Sequence, residues 1–252
     1  MIAVQDLEKR FGAVCAVDGV SFTAADGQVT GLLGPNGAGK TTTLRMLYTL
    51  MRPDAGTIAI DGVDAVADPQ RARFQLGVLP DTSGLYPRLT AREHIMYFGE
   101  LQGITGADLV RRTEHLLAML DMTAIADRRV AGFSHGERTK TALARAIVHN
   151  PRNVLLDEPT NGLDVMSTRA VRDIIRRLKS EGHTVLFSSH VMQEVSALCD
   201  TIVVIARGRI VASGSPDDLR RQTGRDNLED AFVALSGLDA DASAEAPARG
   251  RT

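Results

Sequence analysis

Tryptophan is missing from this chain, and its 252 residues include only 3 tyrosines and 7 phenylalanines. A core of this size has to be filled by Leu, Val, Ile and Ala instead. Cysteine is scarcer still. Cys15 and Cys199 make no CxxC pair and have no pair of histidines beside them. That argues against a disulfide scaffold or a sulfur-rich metal site and predicts reduced, partly buried thiols. No apolar run approaches the ~20 residues that span a bilayer. The opening MIAVQDLEKRFG also lacks the apolar block of a signal peptide. The expectation is a chain soluble by itself, with any membrane role arriving through a partner. An excess of basic charge is absent too. The 29 Lys and Arg meet 31 Asp and Glu, the net charge is −2, and the arginines are spread along the chain. A charge-driven grip on nucleic acid is not expected.

What is present is ordinary for a globular protein: 44% apolar and 24% charged residues. The length suits one large α/β domain or two small ones. Ile2-Ala3-Val4 and Val20–Thr23 alternate like antiparallel strands. Val29–Leu33 is a β-favouring run followed by a Gly-rich turn and a helical stretch over Thr41–Leu50, the opening half of a βαβ unit. Thr57–Ile60 before Asp61-Gly62 reads as a strand entering a hairpin. From about residue 90 to 150 the periodicity is helical, as in Leu109, Thr113, Leu116, Leu117 and Leu120. This predicts a helical subdomain inserted into a sheet-containing core. Val154-Leu155-Leu156 resumes as a buried parallel strand. A helix near 167–181 and strands at Thr184–Ser188, Thr201–Ile205 and Arg209–Ala212 complete the pattern. After Leu238 no large apolar residue remains, so residues 237–252 are expected to form a disordered tail.

Two motifs carry chemistry. Gly34-Pro35-Asn36-Gly37-Ala38-Gly39-Lys40-Thr41 fits G-x-x-x-x-G-K-[ST]. Its glycines let the backbone curl so that several N–H groups point at one phosphate. The following helix, through Thr42, adds its positive end. Lys40 supplies a point charge for the β- and γ-phosphates, and the Thr41 hydroxyl suits Mg²⁺. Far downstream, Asn153–Leu156 ends in Asp157-Glu158. Asp157, at the strand's carboxyl end, suits the metal through water, and Glu158 suits the attacking water. The bland alternative for the two acids is a polar turn that ends a strand.

With these motifs in hand, the chain resembles the ATPase subunits of ATP-binding cassette transporters from about residue 2 to 236. The resemblance implies an α/β fold: a P-loop NTPase core with a parallel sheet, an antiparallel β subdomain and an inserted helical subdomain. It implies ATP and Mg²⁺ as ligands. It puts Phe11 under the adenine, and Ser134 and Gly136 in a signature loop that meets the γ-phosphate on an opposing subunit. It makes Asn161-Gly162-Leu163-Asp164 a loop by which two subunits sense each other, and His190 a switch histidine reaching the γ-phosphate. Catalysis would then rest on Lys40, Glu158 and His190, and the metal on Thr41, Asp81 and Asp157. The chain would work as a homodimer or heterodimer of nucleotide-binding subunits, on the cytoplasmic face of the membrane, beside a permease on a separate chain.

Two positions depart from the family. Asp81 stands where most members carry glutamine. His135 replaces a signature-loop glycine, and would be strained there if that backbone needed φ > 0. Gly84–Glu93 and Ser188–Val195 are similar to the sodium-extruding exporters, which puts sodium export first and drug or lipid-like export next. The rival readings are a non-transport cassette ATPase and a regulatory cassette that hydrolyses ATP weakly or not at all. The single cassette and the lack of a cysteine cluster tell against the first; Asp81 and His135 keep the second open.

Overall fold

The computed structural model describes residues 1–82, 84–225 and 227–236. The tail expected at 237–252 lies outside the described residues. A hairpin of β1 (Ile2–Phe11) and β2 (Val14–Ala24) comes first, then β3 (Val29–Leu33) and α1 (Lys40–Leu47). The strand β4 (Ala55–Ile60) turns into the short β5 (Val63–Asp64), followed by α2 (Pro69–Phe74) and β6 (Leu76–Leu79). Next come α3 (Ala91–Leu101), α4 (Gly106–Met119) and α5 (His135–Ile147). From there strands and helices alternate: β7 (Asn153–Asp157), α6 (Val165–Ser180), β8 (Thr184–Ser189), α7 (Met192–Leu198) and β9 (Thr201–Ala206). Then follow β10 (Arg209–Gly214), α8 (Pro216–Thr223) and α9 (Leu228–Ser236).

Among the described residues the strands form two sheets. One is antiparallel, in the order β2-β1-β4-β5. The other runs β10-β9-β3-β8-β7-β6, parallel throughout except for β10 at its edge. The parallel strands are buried on both faces, which is why they read as unbroken apolar runs. Alternate residues then serve two different cores. Val154, Leu156, Val185, Phe187, Ile202 and Val204 face the helical side. Leu155, Leu186, Val203 and Ile205 face α1 and the antiparallel sheet, where Ile2, Val4, Leu44, Leu47, Ile58 and Ile60 meet them.

The structure departs from the sequence expectation in several places. The helix after the Gly-rich turn stops at Leu47, and Thr49 takes φ +61°. The edge strand β6 was not expected. Its Gly77 interrupts a four-residue apolar run, too short and broken to stand out from a loop. The short helices α2 and α8 were also missed. Each opens at a proline behind a capping Asp68 or Ser215, a start signal easily mistaken for a turn.

Gly31, in the middle of β3, shows how closely α7 lies on the sheet. A Cβ there would come within 2.6 Å of Cys199 Sγ and 2.7 Å of Val195 Cγ1. Burial also pushes the Cys199 thiol well above its ordinary pKa, leaving it unreactive. Gly31→Ala is expected to destabilise the chain by about 1–3 kcal/mol. Adding Cys199→Ala should recover part of the loss, measured by urea unfolding. Strict additivity of the two effects would contradict this packing.

Candidate functional site

The carboxyl ends of β3, β8 and β7 lie side by side, with Leu33 opposite Ser189 and Asp157 opposite Ser188. The Gly-rich loop leaves from β3, the acids from β7 and His190 from β8. These three strands place at one edge what the sequence holds far apart, the usual location of ligands in open α/β sheets. They frame a crevice of about 500 Å³, lined by Asn36 to Thr42, Asp81, Asp157, Glu158 and His190.

The loop enters α1 at Gly39, whose φ of +104° belongs to the left-handed region and whose missing Cβ would sit 2.5 Å from Ala16 O. Only glycine fits there. The first turn of α1 carries no acidic residue, so its positive end is left for an anion.

Lys40 is nearly withdrawn from water, at 5% exposure. Its ammonium donates to Gly34 O at 2.7 Å and Pro35 O at 3.2 Å, and sits 3.2 Å from Glu158 Oε1. The other oxygen of Glu158 is 2.9 Å from His190 Nδ1. The carboxylate thus bridges the buried cation and the half-exposed imidazole. Glu158 itself holds φ +48°, rare for a residue with a side chain and typical of backbone strain kept at a functional position.

Asp157 is almost fully buried. One oxygen accepts hydroxyls from Ser188 at 2.6 Å and Thr41 at 3.2 Å. The other, Oδ2, is buried with no hydrogen-bond partner. An orphaned carboxylate oxygen beside a threonine hydroxyl, with two more acids nearby, is a donor set suited to a hard divalent cation. Burial raises the Asp157 pKa; the Ser188 and Thr41 hydroxyls work against the rise, while the charges of Asp81 and Glu158 add to it.

Several expected site residues lie off the crevice wall. Phe11 is half exposed at the end of β1, with Lys9 Nζ 6.0 Å from its ring centre. Gly34 and Pro35 contribute carbonyls to Lys40 rather than a surface. Ser134 caps α5 reciprocally with Glu137. Gly136 abuts α6, where a Cβ would meet Ser167 Oγ at 2.4 Å. Asp164 caps α6 through Ser167 N and Oγ, both at 2.9 Å, and these bonds hold its pKa down.

Both departures from the family take a definite form. Asp81 lies on the crevice wall, its Oδ2 3.2 Å from Arg45 Nη2. The strain considered for His135 does not arise, because the residue opens α5 and is not among those with positive φ. Its Nε2 instead donates to Asn161 O at 3.0 Å. Of the remaining histidines, His94, His149 and His183 hydrogen-bond backbone carbonyls and are structural.

Sequence reasoning missed Ser188, which also accepts the Glu158 N–H at 2.9 Å. Its place opposite Asp157 depends on strand register, which no local pattern announces. Arg138 and Thr139 also line the crevice, and no motif singles them out.

The pKa of Asp157 carries a stability consequence. The folded chain favours the neutral acid, so ionisation is a penalty that is absent at low pH and grows as pH rises through the folded pKa. Asp157→Asn keeps the acceptor for Ser188 and Thr41. It is expected to raise the Tm of the nucleotide-free chain near pH 7 by about 2–4 °C, with the gain vanishing below about pH 4. Calorimetry showing a lower Tm near neutrality would refute the assignment.

The chain is similar to several known proteins. The family model described as ABC transporter matches residues 17–161. The ABC transporter ATP-binding protein NatA of Bacillus subtilis (strain 168) is 43% identical over 93% of this chain and 97% of its own length. The Nod factor export ATP-binding protein I of Ralstonia nicotianae (strain ATCC BAA-1114 / GMI1000) is 38% identical over 100% of this chain and 80% of its own. A solved structure of the ATP-binding subunit of an ABC transporter superposes with a TM-score of 0.86 at 32% identity, covering 93% of this chain and 99% of that one. The chain belongs to the ABC transporter family, as one of its ATP-binding ATPase subunits.

Proposed function

We propose that this chain hydrolyses ATP in the crevice between the Gly-rich loop and Glu158, and that the cycle drives an exporter whose permease is a separate chain. The observation that carries the reading is the Glu158 carboxylate, held 3.2 Å from Lys40 and 2.9 Å from His190 on the crevice wall. The triphosphate binds the loop amides and the end of α1, and the Lys40 ammonium turns from Glu158 to the β- and γ-phosphates. Glu158, released from that pairing, orients the attacking water and takes its proton, while His190 steadies the γ-phosphate. Phe11 offers its exposed ring to the adenine. Thr41, Asp157 and Asp81 would hold Mg²⁺, which when bound neutralises charge on the phosphates.

Ser134 and Gly136 do not line the crevice of their own chain, and in this reading they serve the nucleotide of an opposing subunit. ATP bound between two copies holds them together, and loss of its γ-phosphate lets them part. No helix among the described residues is long and apolar enough to cross a membrane. The working place is the cytoplasmic face of the membrane, beside the permease. The stretch around Asp81 to Pro87 offers the contact for a short permease helix. For cargo, Gly84–Glu93 and Ser188–Val195 put sodium first. The relative named for Nod factor export supports export in general and keeps drug or lipid-like cargo next.

Glu158→Gln is expected to bind ATP, persist as an ATP-bound dimer on size exclusion and lose at least about 100-fold in phosphate release. Normal turnover in that variant would sink the role given to Glu158. Lys40→Ala is expected to lose both nucleotide affinity and turnover; an unchanged Kd by calorimetry would contradict its place at the phosphates. If the unaltered chain binds ATP but releases no phosphate, with or without its permease, a regulatory cassette is the correct reading.

A further inference from the structure

Glu194 is a carboxylate buried to 4% exposure on α7, and the hydrolysis proposed above makes no use of it. Its Oε2 accepts two hydroxyls, from Thr160 at 2.5 Å and from Ser189 at 3.1 Å. Its Oε1 faces Arg172 Nη2 at 3.7 Å. Thr160 lies two residues beyond Glu158, and Ser189 is the residue before His190. Ser189 Oγ in turn accepts the Val191 N–H at 3.0 Å, just past the histidine. One oxygen atom therefore joins the two loops that carry the bridged pair at the crevice.

The two serines ending β8 divide the work between opposite faces of the strand. Ser188 donates to Asp157 and accepts the Glu158 N–H. Ser189 donates to Glu194. The strand end is thus tied to the acids on one side and to α7 on the other. A strained backbone such as that of Glu158 persists only where its surroundings over-determine it. A buried charge with hydroxyl donors and an arginine nearby is costly to assemble, and helps function only if it fixes something.

We infer that Glu194 is a positioning residue for hydrolysis. It clamps the loop after Glu158 to the end of β8, and so sets the distance between the Glu158 carboxylate and the His190 imidazole. This role rests on the ATPase reading above. It acts on geometry at the reacting end of the nucleotide, so it should be felt in kcat and not in ATP binding.

The test uses the full chain, with phosphate release and calorimetric ATP binding measured side by side. Glu194→Ala is expected to lower kcat roughly 10- to 100-fold, the loss typical of a misplacement near 1 Å, with Kd and KM for ATP held within about twofold. Glu194→Gln, whose carbonyl still accepts both hydroxyls, should stay within about threefold of the parent. Thr160→Val combined with Ser189→Ala removes the donors without touching the carboxylate and should reproduce the alanine effect, even if Glu194→Ala itself folds poorly. In a Glu158→Gln background, Glu194→Ala should add almost no further loss, because a residue acting through Glu158 has nothing left to position. Unchanged kcat in the alanine or double variant, a matching rise in KM, a glutamine as harmful as alanine, or additive losses would each overturn the role. Absence of turnover in the parent chain would instead strike the ATPase reading, and with it this one.

Discussion

A buried ammonium ion organises this molecule. Lys40 sits almost out of water, where a lone cation would be prohibitively unfavourable. Two carbonyls of its own loop and the carboxylate of Glu158 satisfy it. This arrangement demands that the loop after β3 curl back on itself and that the acid ending β7 arrive from another strand. It leaves the cation with partners it can exchange. In the proposed cycle a triphosphate, with denser negative charge than one carboxylate, replaces Glu158 beside Lys40 with little rebuilding of backbone.

That exchange works only on a rigid frame. The parallel strands are buried on both sides, against helices on one face and against α1 and the antiparallel sheet on the other. Their ends cannot drift independently, because a shift would disturb two cores at once. Side-chain hydroxyls then refine what packing sets roughly. Ser188 and Thr41 hold one oxygen of Asp157 and leave the other bare. The backbone strain at Glu158 is stored at the end of β7, inside this frame.

Much of this was legible in the chain itself. The phosphate loop announces its fold because glycine spacing and backbone shape are local properties. The β7 strand and its two acids stand out because burial on both faces yields an unbroken apolar run. His190 was singled out only through family resemblance, and its contact with Glu158 emerged from the structure, since strand order in a sheet leaves no local trace. Ser188 escaped notice for the same reason, and Arg138, Thr139 and the Arg45–Asp81 pair because tertiary packing, with no local motif, brings them to the crevice. The doubt over His135 dissolved because the capping box of Ser134 and Glu137 starts helix α5 at His135, giving that residue ordinary helical backbone.

Family resemblance assigns Gly136 to nucleotide contact. Here its missing side chain also lets two helices touch, for the hydroxyl of Ser167 occupies the space a methyl group would need. Ser167 is in turn the partner of Asp164, and the neighbouring His135 grips the carbonyl of Asn161. The amino ends of α5 and α6 are therefore one fused corner. Whatever moves the helical layer carries the loop after Glu158 along with it, so a load on the helices reaches the residue proposed to act on water.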